Sequence, residues 1–307
     1  MANKKITAPV EGAVAPSDAL HFARIAGEVM QAPLPAVRRA AHAAADSEKD
    51  MPLIGTLQEK RMHAAIKRYL CADTACHERP VPDFLAAEES GGRSRRVVAD
   101  ILTDGEIMEV QTSGFHPLRK KIDYYLTHTP YRVTAVHPIP AVRYLSWINP
   151  ADGQIISRRK SPKRGRVKDV ARELYWLSEY AGNPRFSIRL LLVELEEYRL
   201  ADGWSRDGKR GSNRYERFPT ALLGDVTLAT ADDYAAYFLP ASLCDCSDDL
   251  GDPRGSSRPF TAADYARASG IHGMATYSML RLLCSLGLVE QTEKIGRSQG
   301  YRAVKKP

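Results

Sequence analysis

The sequence predicts an α/β protein in which a mixed sheet is flanked by helices and followed by a small C-terminal domain. Three observations lead there. Met62, Ile66, Tyr69 and Leu70 recur at i, i+4, i+7 and i+8, the stripe of an amphipathic helix over about 53–70, and the periodicity then shifts to short strand-like runs. Asp104-Gly105 separates two of those runs, as a tight hairpin turn would. Residues 244–258 (CDCSDDLGDPRGSSR) have linker composition, and the segment beyond them carries an apolar pattern of its own.

Taken in order, residues 1–50 are alanine-rich and broken by Pro9, Pro16, Pro33 and Pro35, which suits an accessory segment with short helices at about 17–31 and 36–45. The main domain is expected over 51–243. After its first helix, Pro80 and Pro82 confine the run at about 76–84 to a sheet edge. Strands at about 96–102 and 106–112, a helix at about 117–127 and a strand from Tyr131 to Ile139 follow. Val142–Ile148 and Gln154–Ser157 flank the turn signal Pro150-Ala-Asp-Gly153, so a second hairpin is expected there. A helix at about 167–180 ends near Gly182-Asn-Pro184. Phe186–Tyr198 reads as a long strand or a strand with a helical end, and 201–217 as a polar, glycine-rich loop. Beyond the linker, the domain at 259–307 starts with a capping-box pair, Thr261 and Asp264, and continues with the helical face Tyr277, Leu280, Leu283, Cys284. Leu288-Val289-Glu290 and Tyr301-Arg302-Ala303 then bracket Gly296–Gly300 as two strands.

The net charge of +7 is localised. Residues 154–172 hold Arg158, Arg159, Lys160, Lys163, Arg164, Arg166, Lys168 and Arg172 against Asp169 alone, so this one segment carries the whole excess. A polyanion such as DNA, with RNA left open, is the expected partner of a patch of that kind. No stretch approaches the roughly 18 uninterrupted apolar residues of a membrane span, and the start lacks an apolar signal-peptide core, so a cytoplasmic protein is expected. The five scattered cysteines read as reduced thiols; Cys71-x4-Cys76-His77 and Cys244-x-Cys246 do not have convincing zinc spacing. Tyr124, Tyr125 and Trp147 read as core aromatics before stacking platforms for bases.

Chemistry concentrates in Val97-Val-Ala-Asp100 through Glu109-Val-Gln111. A two-residue turn at Asp104-Gly105 pairs Thr103 with Glu106 and therefore sets Asp100 opposite Glu109, with Cβ atoms roughly 4.5–5.5 Å apart. Gln111 shares the face of Glu109, because side chains alternate along a strand. Two carboxylates so placed repel unless a cation lies between them. Mg²⁺ or Mn²⁺ would suit them, since hard cations take carboxylate oxygens and retain water, and the Val110 carbonyl offers a further ligand. The surrounding Val97, Val98, Ile101, Leu102, Ile107, Met108 and Val110 make both strands apolar on both faces, which argues for partial burial of the polar residues. Glu59 lies near the edge of the first helix's stripe, within reach of the same site.

On these residues the chain resembles the PD-(D/E)XK nuclease superfamily, and over about 53–200 its uncharacterised bacterial restriction-endonuclease-like members. The shared features are the order helix, three strands, helix, strand over about 53–140, an Asp before a hairpin and a Glu after it. The resemblance implies a restriction-endonuclease-like mixed sheet and a Mg²⁺-dependent nuclease acting on DNA. Asp100 and Glu109 would bind the metal, with Gln111 orienting water where most members have Lys. It further implies that Arg119, Lys120 or Lys121 supplies the missing positive charge from the next helix. The segment 259–307 is similar to a winged helix in its order of two helices and a two-stranded wing, and implies duplex binding; a homodimer is compatible with this reading. The rival reading is a non-catalytic nucleic-acid-binding regulator that keeps a degenerate nuclease fold, and Gln111 is the feature that favours it.

Overall fold

The computed structural model describes residues 12–31, 54–82, 97–149, 152–201, 213–244 and 258–304, and of 54–60 the backbone alone. The expected helix at 36–45, the Pro150-Ala151 part of the turn, and nearly all of the linker at 244–258 lie outside the described residues. Helices α1 (Pro16–Gln31) and α2 (Ile54–Leu70) come first. They are followed by β1 (His77–Pro80), β2 (Val98–Leu102), β3 (Glu106–Val110), α3 (Arg119–His128), β4 (Arg132–Ile148) and β5 (Ile155–Lys160). Then come α4 (Ala171–Leu174), β6 (Phe186–Leu200), β7 (Asn213–Leu228) and α5 (Ala231–Phe238). The last elements are β8 (Phe260–Thr261), α6 (Ala262–Ser269), α7 (Met274–Ser285), β9 (Val289–Ile295) and β10 (Ser298–Ala303).

The α/β class is therefore as expected: a seven-stranded mixed sheet has the order β1-β2-β3-β4-β6-β7, with β5 added alongside β4. Strands β2 and β3 are antiparallel, whereas β3 and β4 are parallel, with α3 as the crossover between them. A separate three-stranded sheet, β8-β10-β9, closes the chain. No helix among the described residues is long and apolar enough to cross a membrane.

Several elements differ from expectation. The expected strands 131–139 and 142–148 are one strand, β4, despite Pro138 and Pro140. Both prolines fall after Val136, the last residue in register with β3, and before Tyr144, the first in register with β5, so their missing N–H groups remove no rung from either of these ladders. The segment 167–180 is not a continuous helix but two 3₁₀ turns around the four-residue α4. Its buried residues Val167, Val170, Leu174, Leu177 and Tyr180 are mostly three apart, a spacing that serves a 3₁₀ turn as well as an α-helix. Residues 213–217 belong to β7 rather than to a loop, and α5 was not foreseen.

The chain divides into two compact units. One comprises residues 1–77, 138–165 and 191–226. In it Phe22, Ile25, Ala26 and Val29 of α1 are buried, as are Met62, Ala65 and Ile66 of α2, and Phe22 meets Tyr69 edge to face at 5.1 Å. Its strands bury three carboxylates, each met by arginine: Glu196 by Arg158, Glu197 by Arg143, Arg199 and Arg214, and Glu216 by Arg61. A charge removed from water stays ionised only with such compensation.

The other unit comprises residues 78–137, 166–190 and 227–307. Ile101, Ile107, Ile122, Tyr125, Val133 and Ala135 are fully buried between its hairpin, α3 and the first half of β4. The C-terminal segment is grouped in this unit. The buried Tyr265 hydroxyl donates to the Phe238 carbonyl at 2.6 Å, and Lys168 donates to the Ser269 carbonyl at 2.9 Å. Helix α6 is set by Thr261 and Asp264, which form the expected capping box, and stopped by Gly270 at φ 70°.

The Thr261 hydroxyl and backbone N–H hold the Asp264 carboxyl below its ordinary range. A depressed carboxyl contributes stability that is present above its unfolded pKa and lost as pH falls through the folded value. Asp264→Ala is expected to cost about 0.5–1 kcal/mol at neutral pH, the low end for a cap because the side chain is partly solvated. In chemical denaturation the gap to the parent should begin to narrow below the unfolded carboxyl pKa of about 3.9 and close as pH falls through the lower folded value. An unchanged midpoint at neutral pH would count against this cap.

Candidate acid–lysine centre on the hairpin

Hairpin β2–β3 has the register that the two-residue turn requires: Ile101 pairs with Met108, Leu102 with Ile107, and the Thr103 N–H donates to the Glu106 carbonyl. Asp100 accordingly lies across from Glu109. The Glu109 side chain is buried, and two donor groups on one face of α3 make three hydrogen bonds to it. Lys121 Nζ donates to Oε1 at 3.0 Å and Oε2 at 2.8 Å, and Tyr125 Oη donates to Oε1 at 2.7 Å. Lys121 and Tyr125 are four apart and so share a helix face. Lys121 also donates to the Val98 carbonyl at 3.0 Å, which ties the helix to the start of β2.

Helix α3 is held at both ends. At its start the Arg119 guanidinium makes a two-pronged pair with Glu179, at 2.6 and 3.0 Å. At its end the Arg185 guanidinium donates to the carbonyls of Leu126, Thr129 and Tyr131, where a helix leaves acceptors without partners. Lys121 and Tyr125 are thereby placed over the hairpin by contacts distant in sequence.

Burial raises the Glu109 carboxyl above its ordinary pKa, and the facing Asp100 raises it further; Lys121 and Tyr125 oppose both effects. Burial, then Glu109, pushes the Tyr125 phenol upward, so Tyr125 remains a hydrogen-bond donor. Asp100 accepts the Val110 N–H at 2.8 Å.

Gln111 shares the strand face of Glu109, but its amide N–H groups donate to Ser113 Oγ and the Gly114 carbonyl, both at 2.7 Å. Its own carbonyl accepts from His137 Nδ1 at 2.6 Å. Burial lowers the His137 pKa, so its ring is neutral near pH 7. A Cβ at Gly114 would lie 2.8 Å from the Glu173 carboxylate oxygen that accepts the Phe115 N–H, so a side chain there would displace that carboxylate. Of the three cations expected near the site, Lys121 meets Glu109, Arg119 is paired with Glu179, and Lys120 is exposed.

For a divalent cation the chain offers two carboxylates here; among the described residues no group of three or more His, Cys, Asp or Glu could hold a metal. Two carboxylates fit Mg²⁺ or Mn²⁺, which keep several waters, and do not make a zinc cage. Glu59 lies on α2, but its side chain lies outside the described residues.

The basic segment is divided between the units. All six residues of β5 are exposed. Arg158 is pinned by Glu196 at 2.8 Å and lies 3.9 Å from the Tyr144 ring centre, Arg159 lies over Trp147 and Lys160 over Tyr144. Lys163, Arg164 and Arg166 are exposed. Lys168 is committed to the Ser269 carbonyl. Sequence reasoning overlooked Tyr125 as a site residue, together with Glu173 and His137. For Tyr125 the four-residue spacing from Lys121 was the available signal.

Lys121→Met should strand a carboxylate that is 2 % exposed and cost about 2 kcal/mol, less than a fully buried pair because the lysine is partly solvated. Glu109→Gln removes the charge yet keeps an acceptor for Tyr125, so urea unfolding without metal should change by less than about 1 kcal/mol. Equal losses in the two variants would exclude this account of the pair.

Comparison with known proteins gives a family but no activity. An uncharacterised protein of Treponema pallidum (strain Nichols) is 27% identical over 238 residues, covering 76% of this chain and 86% of that relative. No solved structure matches. Residues 60–229, more than half of the chain, match the model of a domain of unknown function, DUF8091, and the chain belongs to that family.

Proposed function

We propose that this protein is a metal-dependent phosphodiesterase acting on DNA in the cytoplasm, with Asp100, Glu109 and Lys121 as its reacting centre. The observation that carries the reading is the Lys121 ammonium on the carboxylate of Glu109, itself opposite Asp100 on the hairpin. The PD-(D/E)XK resemblance calls for two acids and a cation at such a place. The antiparallel β2–β3 pair, the α3 crossover and the parallel β3–β4 pair support it as well.

Asp100 and Glu109 would hold Mg²⁺ or Mn²⁺, which when bound makes a coordinated water more acidic and offsets charge on phosphoryl oxygens. Tyr125 holds one Glu109 oxygen by hydrogen bonding and fixes the direction of the other. Lys121, 38% exposed, is anchored on Glu109 while its solvated side faces an incoming phosphate; there it neutralises charge that grows as the water oxygen attacks phosphorus and the P–O ester bond breaks. Gln111 positions the 113–114 turn, and the ammonium expected two residues after Glu109 comes from α3. The exposed cations of β5 and the loop after it would hold the DNA backbone. The β8–β10 module, with Tyr277 exposed on α7, is consistent with a winged helix that binds duplex.

One observation favours the second reading, a nucleic-acid-binding regulator without catalysis: both Glu109 oxygens are already engaged by Lys121 and Tyr125. Cleavage assays separate the two. With Mg²⁺ or Mn²⁺ the parent should cut supercoiled, linear or branched DNA. Lys121→Gln should lower the rate by about 10²–10³-fold, and Asp100→Asn or Glu109→Gln should abolish cutting. Adding Gln111→Lys to Lys121→Gln should restore part of the loss, because a lysine two residues after Glu109 reaches the same phosphate. A parent that cuts none of these substrates in either ion leaves only the regulator.

Duplex binding is tested apart from cutting. Replacing Arg159, Lys160, Lys163 and Arg164 with Ser should flatten the dependence of log affinity on log salt by about 3–4. An unchanged slope would remove this segment from the interface.

A further inference from the structure

A cavity of about 180 Å³ beside the start of α3 is lined by Arg119, Tyr175, Trp176, Ser178, Glu179 and Arg281. Arg119 in its lining stands two residues before Lys121 on the same helix. Tyr175 is 46% exposed, so its ring is open to a ligand. Trp176 is fixed edge to face between His116, at 4.5 Å, and Tyr175, at 5.3 Å. Arg119 and Glu179 satisfy one another through two hydrogen bonds and present no net charge. Arg281 is exposed and has no ion-pair partner among the described residues, and the Trp176 indole N–H likewise donates to no group among them. The uncommitted charge of this cavity is therefore the Arg281 cation, which stands with the Trp176 N–H donor next to an open aromatic ring.

An unpaired guanidinium beside an indole N–H selects an anion, and an exposed ring selects a planar partner. A nucleotide satisfies both. We infer that this cavity is a subsite for an unstacked nucleotide of single-stranded DNA, its base against Tyr175 and its phosphate on Arg281 and the Trp176 N–H. The inference rests on the phosphodiesterase reading and deepens it, by naming as substrate a strand with an unpaired segment next to the bond that is cut. Base stacking on a protein ring tolerates any base, so the subsite recognises single-strandedness rather than sequence. The rings and Arg281 come from separate segments, α4's following turn and α7, so the C-terminal module contributes to the same cavity.

The test uses the full chain carrying Glu109→Gln to prevent cutting, with a short labelled oligothymidylate and a blunt duplex of similar length as probes. Tyr175→Ala and Arg281→Ser should each weaken oligothymidylate binding on the order of tenfold while leaving duplex affinity within about twofold. Tyr175→Phe should bind like the parent, which a misfolded variant would not. Undiminished oligothymidylate affinity in Tyr175→Ala, or equal loss for both probes, overturns the subsite. Cutting is scored separately with Glu109 intact. Binding through Tyr175 without cutting keeps the subsite and overturns the phosphodiesterase; cutting with no effect of Tyr175→Ala overturns the subsite alone.

Discussion

A carboxylate that folding removes from water must find compensation at once, and Glu109 obtains it from a single helix. Its two oxygens receive an ammonium and a phenol from α3, so the crossover between β3 and β4 cannot slide along the hairpin without uncovering a charge. The apolar contacts of Ile122 and Tyr125 would tolerate a small shift of that helix. The bonds to Glu109 would not. Register, crossover and helix rotation are thus fixed together by one buried acid, which explains why the surrounding sequence is so uniformly apolar.

The same logic recurs in the other unit with a different cation. Glu196, Glu197 and Glu216 sit on strands and are compensated by arginines. Arginine suits those places because its planar fork can satisfy two oxygens and it stays charged. Lysine suits Glu109 for another reason. A compact ammonium on a flexible stem can remain attached to one oxygen and turn toward a second anion, which is the motion that chemistry at this centre would need.

Much of the hairpin was legible because its determinants are local. Asp104-Gly105 fixes a two-residue turn, and alternation then dictates which residues face one another. The helix after it and the strand that follows were legible from periodicity, whereas the parallel pairing of that strand with β3 was not. What escaped reading was set by distant partners. Asn213–Arg217 looks like loop because it is polar throughout, yet it is strand, since Arg61, far away in sequence, neutralises Glu216. Glu196-Glu197 suggested a helical end for the same reason. Tyr125 passed for an ordinary core ring because a buried hydroxyl and its acceptor cannot be matched before the fold brings them together, and the 113–114 turn that takes the Gln111 N–H groups was invisible for the same reason.

Strands β4 and β6 each begin in one compact unit and finish in the other, and each unit is assembled from separated stretches of chain. This has a consequence for biosynthesis. The first unit lacks its last stretch until residue 226 has left the ribosome, and the second lacks residues 227–307 until that stretch too has emerged. Neither can finish folding as an early, self-contained piece in the way that tandem domains do. The nascent chain must instead carry unpaired strand edges until those later stretches emerge, a period in which chaperone capture or mispairing between neighbouring chains competes with the native sheet.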